Sequence, residues 1–336
     1  MAKKVRVLIA DDSEIVRDIL VAALARHADI EVVGTASNGD EAAMLAARLK
    51  PDVITMDLHM PGSDGFAGIA RIMAENPTPI LVLSANREEV KGFRALSLGA
   101  LDLQEKPPLE ELESFAATLG NRLRLLATVP VIRHPRGLRE AAPPETPRSR
   151  AGVRLVALGA SLGGPRALAQ ILRALPPDFP APIAVVQHMA DGFTTAFTRW
   201  LAQEIRLKVR EAEDGMRLDP GTVYVAPSDR HLRIRGSRVV LGVDATQHGF
   251  RPSVSILFRS AAESFGARAM GVLLTGMGTD GSDGLLEMRR RGGITIAQDE
   301  ATSAVFGMPR AAIELGAAER VLPLGAIADA IQEAVR

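Results

Sequence analysis

Residues 153–164, VRLVALGASLGG, run from an apolar stretch directly into a glycine-rich turn. The apolar stretch predicts a buried strand, and the pattern from Pro165 to Leu175 predicts a helix. A proline suits the first turn of a helix, where its missing N–H has no partner to lose. A strand, a tight turn and a helix in this order are typical of the repeating unit of a parallel α/β sheet.

Apolar runs of strand length recur through the rest of the second half, at 181–188, 268–276 and 293–299. Residues 208–242 differ, because their short alternating runs are separated by turns at DPGT and RGSR. That pattern predicts antiparallel hairpins. The second half is therefore predicted to be a doubly wound α/β domain with an antiparallel hairpin insertion.

The first half of the chain shows the same alternation with different motifs. Strands are predicted at 5–10, 31–36, 52–56, 79–85 and 100–104, and each is followed by a helical pattern. Five such units fit a flavodoxin-like, doubly wound parallel sheet. The fold class is therefore α/β with two domains, which suits a chain of 336 residues.

The periodicity stops between the two halves. Residues 128–150 contain five prolines and five arginines against two glutamates. This composition is typical of a solvated, semi-extended linker, and a basic contact surface for a partner is the alternative. The sequence therefore predicts a first domain at 1–127, a linker at 128–152 and a second domain at 153–336.

Composition excludes several classes of protein. The chain has 40 basic and 40 acidic residues, a balance that argues against an electrostatically driven nucleic-acid binder. Cysteine is absent, which excludes disulfides and thiolate metal sites and fits a reducing, cytoplasmic compartment. The N-terminal apolar run is too short for a signal peptide, and no stretch approaches roughly 18 uncharged apolar residues, so no insertion into a membrane is expected.

Polar side chains end the predicted strands of the first half, in the order Asp11 and Asp12, Asp57, Ser84 and Lys106. Ligands bind at the carboxyl ends of the strands in such a sheet, so these side chains are expected to converge. Two carboxylates about 4 Å apart repel by about 4 kcal/mol at an effective dielectric of 20, and Mg²⁺ would remove that cost. Asp57 is then suited to attack a phosphoryl group, with Lys106 and the metal neutralising its charge.

In the second half of the chain, Ser161 stands in the glycine-rich turn after the first predicted strand. The following helix offers free N–H groups for an oxyanion. The string G-A-S-L-G also matches a nucleophile elbow, although that string alone is a weak signal. An α/β-hydrolase would place its acid before its histidine, whereas the order here is Ser161, His188, Asp280, so that fold is disfavoured.

A dinucleotide site is a second interpretation of the same turn. It requires an acid at the end of the next strand, to bind ribose. His188 stands there instead, and an imidazole suits a general base better. Asp280 ends a further strand and is placed to orient His188 and to stabilise its cation. His231 and His248, in or beside the hairpin region, are expected to be surface or hydrogen-bonded histidines.

Residues 5–127 resemble a response-regulator receiver domain, on the segments ADD (10–12), MDLHMPGSDG (56–65), LSA (83–85) and EKP (105–107). The resemblance implies that Asp57 accepts the phosphoryl group and that Asp11, Asp12 and Asp57 bind Mg²⁺. It also implies that Ser84 is the switch hydroxyl and that Lys106 contacts the phosphate. Receivers usually have an aromatic residue shortly before the lysine, whereas Leu103 stands here, so the chain departs from the family at the aromatic half of the switch.

Residues 153–334 resemble the catalytic domain of the chemotaxis protein-glutamate methylesterases. The segments that carry the resemblance are LGASLGG (158–164), VVQHM (185–189), DGMRLDPGTVYVAP (214–227), RPSVSILFRS (251–260), LLTGMGTDGSDGL (273–285) and TIAQDEATSAVFGMPR (295–310). The resemblance implies a nucleophile, a general base and an orienting acid at Ser161, His188 and Asp280, with backbone oxyanion donors near Met277. Two positions depart from the family, since Leu162 replaces a threonine and Ser255 replaces an aspartate.

The two resemblances together imply a phosphorylation-activated serine esterase. Its substrates would be γ-glutamyl methyl esters on methyl-accepting chemotaxis receptors, with deamidation of receptor glutamines by the same steps. A chemotaxis histidine kinase would donate phosphate, and the esterase reaction would need no cofactor. We also expect the unphosphorylated receiver to restrict access to the serine site.

Three other functions remain open at this point. A non-enzymatic, phosphorylation-switched adaptor is supported only by Leu162 beside the serine. A receiver-linked DNA-binding regulator is disfavoured, because the second half is long and lacks a compact basic helix-turn-helix. A serine hydrolase acting on a small metabolite would share the same serine site.

Overall fold

The computed structural model of the chain describes residues 4–62, 64–84, 90–129, 152–190 and 192–335. These form two compact units, which are described in turn. Most of the predicted linker, residues 130–151, and Ala85 of the LSA segment lie outside the described residues. Among the helices that the structure describes, none is long and apolar enough to cross a membrane.

The first unit is a parallel sheet covered by helices. Its strands are β1 (Val5–Ala10), β2 (Ile30–Ala36), β3 (Val53–Asp57), β4 (Ile80–Ser84) and β5 (Asp102–Glu105). Its helices are α1 (Glu14–Leu24), α2 (Gly39–Leu49), α3 (Gly65–Glu75), α4 (Val90–Ser97) and α5 (Leu112–Ala127). The strand order is β2-β1-β3-β4-β5 and all pairs are parallel, which confirms the flavodoxin-like prediction.

Short polar residues begin three of these helices at the functional edge of the sheet. Ser13 caps α1 by accepting from Val16 N–H, and Asn38 caps α2 in the same way. Asp64 caps α3 by accepting from Ala67 N–H. Such caps satisfy N–H groups that have no partner within the helix, so each chain reversal after β1, β2 and β3 is fixed locally.

The second unit has a larger sheet and a separate hairpin. Its strands are β6 (Leu155–Ala160), β7 (Ile183–Gln187), β8 (Lys208–Glu211), β9 (Thr222–Val225), β10 (His231–Arg235), β11 (Arg238–Gly242), β12 (Ala269–Leu273), β13 (Ile294–Gln298) and β14 (Arg320–Leu322). Its helices are α6 (Gly164–Ala174), α7 (Thr194–Glu204), α8 (Val254–Phe265), α9 (Ser282–Arg290), α10 (Met308–Glu314) and α11 (Leu324–Val335). The two ends of the unit meet, since Val153 N–H donates to Ala334 O at 2.8 Å.

The seven-stranded sheet is doubly wound, with the order β14-β13-β12-β6-β7-β9-β8 and parallel pairs throughout. From β6 the chain progresses outward to β7, and from β12 it progresses in the opposite direction to β13 and β14. The order therefore reverses between β6 and β12. Ligand sites of open α/β sheets lie at such a switch point, at the carboxyl ends of the strands.

The prediction for residues 208–242 is half right. β10 and β11 pair antiparallel around the turn at Gly236, as expected. β8 and β9, in contrast, are parallel, so no hairpin forms at DPGT. After β8 the chain crosses to the hairpin, where Gly215 N–H donates to Val239 O at 3.0 Å, before β9 begins in the original direction.

Candidate active site

Ser161 lies immediately after β6, at the switch point of the larger sheet. Its N–H donates to Thr275 O at 3.0 Å, which joins the serine turn to the loop after β12. Gly276 allows this approach, because a Cβ there would lie 2.7 Å from Ser161 Cβ. Gly163 has φ +75°, so the turn before α6 also needs a residue without a side chain.

His188 follows the neighbouring strand β7 and is tied to the serine strand by its N–H, which donates to Ala160 O at 2.9 Å. Its side chain is 4% exposed, and Nε2 lies 2.9 Å from Asp280 Oδ2. Nδ1 is buried and has no hydrogen-bond partner among the described residues, so the Ser161–His188 hydrogen bond is not formed. Because Asp280 occupies Nε2, Nδ1 is the nitrogen left to accept a proton.

Gln187 fixes the backbone around both residues. Its Nε2 donates to Ser161 O and to His188 O, each at 2.7 Å. Gly164 leaves room for this amide, since a Cβ there would lie 2.0 Å from Gln187 Oε1. The glycine-rich turn thus serves the neighbouring strand as well as the serine.

Asp280 is fully buried beneath the start of α8. Oδ2 accepts from Val254 N–H at 2.7 Å, and Oδ1 accepts from Ser253 Oγ at 2.8 Å and from Ser255 N–H at 3.1 Å. Burial alone would raise the pKa of Asp280, but the hydrogen bonds from His188, Ser253 and Val254 lower it to about 2. Asp280 is therefore ionised at neutral pH and suited to orient an imidazole.

His231 is hydrogen-bonded, as the sequence led us to expect, but it is fully buried rather than on the surface. Its Nδ1 accepts from Ser253 N–H at 3.2 Å, and its Nε2 lies 3.1 Å from Ala245 O. Burial lowers the pKa of His231 and favours the neutral ring that these two contacts require. His231 thus holds Ser253 in place, and the Ser253 hydroxyl in turn donates to the Asp280 carboxylate. No local pattern in the sequence points to this contact.

Phe250 stacks on the ring of His188, with centroids 3.9 Å apart and planes 4° apart. No motif in the sequence predicted a role for Phe250. Its only signal is its place immediately before the segment RPSVSILFRS, which begins at Arg251 and carries part of the family resemblance. Phe250 covers one face of the candidate base.

Two backbone N–H groups beside Ser161 are candidate oxyanion donors. Met277 lies in the loop after β12 with its side chain 54% exposed, and Leu162 follows the serine with a buried side chain. Neither N–H donates to an acceptor in the described part of the chain. The carbonyl of Leu162 accepts from Thr275 Oγ1 at 2.9 Å, which holds this peptide in place.

The carboxyl ends of the smaller sheet form a separate acidic site. Lys106 Nζ lies 2.6 Å from both Asp11 Oδ2 and Asp57 Oδ2. Burial raises the pKa of Asp11, as does the nearby Asp57, while Lys106 opposes both. One oxygen from each of Asp11, Asp12 and Asp57 lies within 4.8 Å of the others, so the set fits a hard divalent cation.

The predicted switch residue Ser84 is buried, and so is Leu103, which stands where receivers usually have an aromatic residue. Ser84 ends β4, and the side chain of Leu103 lies in the core on β5. Leu103 packs against α4, since a Cβ on Gly92 would lie 3.0 Å from Leu103 Cδ2. The leucine side chain therefore fills the space against α4 at Gly92.

Two family models match the chain: the response regulator receiver domain over residues 7–116 and the CheB methylesterase over residues 156–331. A protein-glutamate methylesterase/protein-glutamine glutaminase of Anaeromyxobacter dehalogenans is 58% identical, over 99% of this chain and 98% of that protein. The protein-glutamate methylesterase FrzG of Myxococcus xanthus is 46% identical over 84% of each chain. The crystal structure of the Thermotoga maritima CheB methylesterase catalytic domain is 41% identical, covers 55% of this chain and 99% of that one, and has a TM-score of 0.53. The chain therefore belongs to the CheB methylesterase family and carries a response regulator receiver domain ahead of the catalytic domain.

Proposed function

We propose that this chain is a phosphorylation-activated serine esterase that hydrolyses γ-glutamyl methyl esters on chemoreceptors and deamidates receptor glutamines. The observation that carries the proposal is the buried His188–Asp280 pair on the strand end next to Ser161, with Nε2 and Oδ2 2.9 Å apart. The names of its relatives, protein-glutamate methylesterase/protein-glutamine glutaminase, support the same substrate class.

The reaction begins at Ser161. Its Oγ attacks the ester carbonyl carbon as its proton passes to His188 Nδ1, the nitrogen that Asp280 leaves free. The ionised Asp280 then stabilises the imidazolium cation. A positioned base of this kind typically contributes about 10²- to 10⁴-fold to the rate.

The tetrahedral oxyanion is held by the N–H groups of Leu162 and Met277, which donate to no acceptor within the described ranges. Loss of one such donor typically costs about 2.7–4 kcal/mol of transition-state stabilisation. The C–O bond to the methoxy group then breaks, and His188 returns the proton so that methanol leaves. Water attacks the acyl-enzyme with His188 again as base, which frees the glutamate and restores Ser161. With glutamine as substrate, ammonia leaves in place of methanol.

In the receiver, Asp57 accepts a phosphoryl group from a chemotaxis histidine kinase. Asp11, Asp12 and Asp57 would hold Mg²⁺, which supplies positive charge to the phosphoryl oxygens. Lys106, held between Asp11 and Asp57, contacts the phosphate, and Ser84 is the switch hydroxyl. The added charge of about −1.5 to −2 is large enough to bias a two-state element, and we propose that it relieves a restriction of the serine site by the receiver.

The proposal is tested by methanol release from methylated chemoreceptor. Ser161→Ala is expected to reduce release to background, because the variant lacks the nucleophile. Ser237→Ala, on an exposed hairpin turn of the same unit, is the matched control and should retain the wild-type rate. Absence of release from folded wild-type protein on a competent substrate would favour the adaptor function or a different ester. Equal turnover of simple esters would favour a small-metabolite hydrolase.

A further inference from the structure

The ring of His188 is fixed at one edge by a hydrogen bond and on one face by Phe250. The hydrogen bond to Asp280 sets the position of Nε2. It still permits the ring to tilt about that contact, which would move Nδ1 on the opposite side. The parallel Phe250 ring, 3.9 Å away, opposes that tilt.

Phe250 is presented by a tight turn, Gln247–Phe250, whose end residues exchange backbone hydrogen bonds of 3.1 and 2.9 Å. The two central residues, His248 and Gly249, have φ of 52° and 82°. A non-glycine residue at positive φ is uncommon and persists where surrounding contacts maintain it. The turn therefore has a defined shape that depends on outside contacts.

Those contacts converge on Asp283, in the first turn of α9 and close in sequence to Asp280. His248 Nε2 lies 3.3 Å from Asp283 Oδ2, and Gln247 Nε2 donates to the same oxygen at 3.5 Å. Arg259 of α8 links the turn to α9, since it donates to Asp283 and to Gln247 Oε1. The loop after β12 thus holds Asp280 on one side of His188, and the start of α9, through Asp283, holds Phe250 on its face.

We propose that Phe250 is a positioning residue for the esterase reaction, acting through His188, and that the Asp283-anchored turn sets its place. The inference rests on the proposed function, because it assigns Phe250 the task of aiming the Nδ1 lone pair at the Ser161 hydroxyl. Catalytic geometry is sensitive to such placement, and a displacement of about 1 Å can cost about 10²-fold in rate.

The kinetic test compares Phe250→Leu, which keeps apolar volume without a flat ring, with Phe250→Tyr, which restores the ring. Phe265→Leu, at the far end of α8, is the matched control. On methylated receptor we expect Phe250→Leu to lower kcat by about 10- to 100-fold with little change in KM. Phe250→Tyr and the control should keep near wild-type kcat. Fluorescence of Trp200, the single tryptophan, verifies that each full-length variant is folded.

A spectroscopic readout separates this role from simple packing and from the reaction itself. With ¹⁵N-labelled histidine, we expect His188 of the wild type to show a protonated Nε2 and an unprotonated Nδ1. In Phe250→Leu we expect Nε2 to stay protonated, because Asp280 still binds it. We expect the ¹⁵N relaxation of the His188 ring to show larger motion in that variant and to return to the wild-type value in Phe250→Tyr. Unchanged kcat and unchanged ring relaxation in Phe250→Leu would overturn the proposal while leaving the esterase function intact. Increased ring motion would support positioning even if the wild type released no methanol, a result that would count against the proposed reaction alone.

Discussion

Asp280 is a buried carboxylate whose pKa is lowered from 3.8 to about 2 by the groups around it. A carboxyl with a lower pKa in the folded state stabilises that state at pH values above its unfolded pKa. The contribution is lost as the pH falls through the folded value. The size of the shift corresponds to about 2 kcal/mol at neutral pH. The residue that orients His188 therefore also stabilises the second unit.

We expect Asp280→Asn to lower the free energy of unfolding of the second unit by at least about 2 kcal/mol at pH 7. The difference in free energy of unfolding between the wild type and the variant should narrow between about pH 4 and pH 2, where the native carboxyl takes up its proton. Urea unfolding followed by Trp200 fluorescence reports on this unit alone, because the chain has one tryptophan and it is buried in α7. Asp329→Asn, at an exposed position of α11, is the control. A loss of stability in Asp280→Asn that stays constant from pH 7 to pH 2 would contradict the lowered pKa of Asp280.

At the scale of elements, the start of α9 supports both the acid and the ring that covers His188. Ser255 stands where the family usually has an aspartate, and its hydroxyl donates to Asp283 and accepts from Gly281 N–H at 2.8 Å. The carboxylate beside Ser255 is therefore that of Asp283 in α9, whereas an aspartate at position 255 would supply it from α8. Burial would raise the pKa of Asp283, but Ser255, Arg259 and His248 lower it, so the anchor is charged.

We expect Asp283→Ala to lower kcat in the same direction as Phe250→Leu, because the turn loses its anchor. If Asp283 acts through Phe250, its removal should have little further effect in the Phe250→Leu background. Residues that share one function give non-additive effects in a double-mutant cycle. Methanol release from the four full-length proteins measures the coupling, and Asp219→Ala, in the loop before β9, is the control. Fully additive losses would show that Asp283 and Phe250 act independently.

Local sequence patterns predicted the strands and helices better than they predicted the contacts between loops. The strand ends at Asp57, Ser161 and His188 follow from apolar runs, because parallel strands place their carboxyl ends at one edge. The parallel β8–β9 pair could not be predicted, because a short crossover and a hairpin share the same turn residues. The stacking of Phe250 on His188 and the contact of His231 with Ser253 were not predicted, for a related reason. Phe250 contacts His188 from a loop, whereas His231, at the start of β10, contacts Ser253, which binds Asp280. Only the assembled fold brings these residues together.

At the scale of the whole molecule, we expect a small-molecule phosphodonor to raise methanol release by the full-length wild type. Asp57→Asn should remove the response, because the variant lacks the proposed acceptor carboxylate. Chelation of Mg²⁺ should also remove it while leaving the basal rate, since the proposed esterase steps use only Ser161, His188, Asp280 and backbone N–H groups. Methanol release with and without the phosphodonor, before and after chelation, measures both effects.

A truncated chain without residues 1–150 completes this test of regulation. If the unphosphorylated receiver restricts access to the serine site, the truncated chain should release methanol faster than the basal rate of the full chain. Its rate should not change with phosphodonor or chelator. A basal rate that is equal or lower would rule out inhibition by the receiver.

The hydrogen bond between Val153 and Ala334 brings the start of the second unit and the end of α11 to one place. A tether leaving either end would start from nearly the same place. A receiver fused behind α11 would therefore start from nearly the same place as one fused ahead of β6, and we expect a rearranged chain with the order of the units exchanged to retain phosphodonor control. The order of the units along the gene would then reflect ancestry more than geometry.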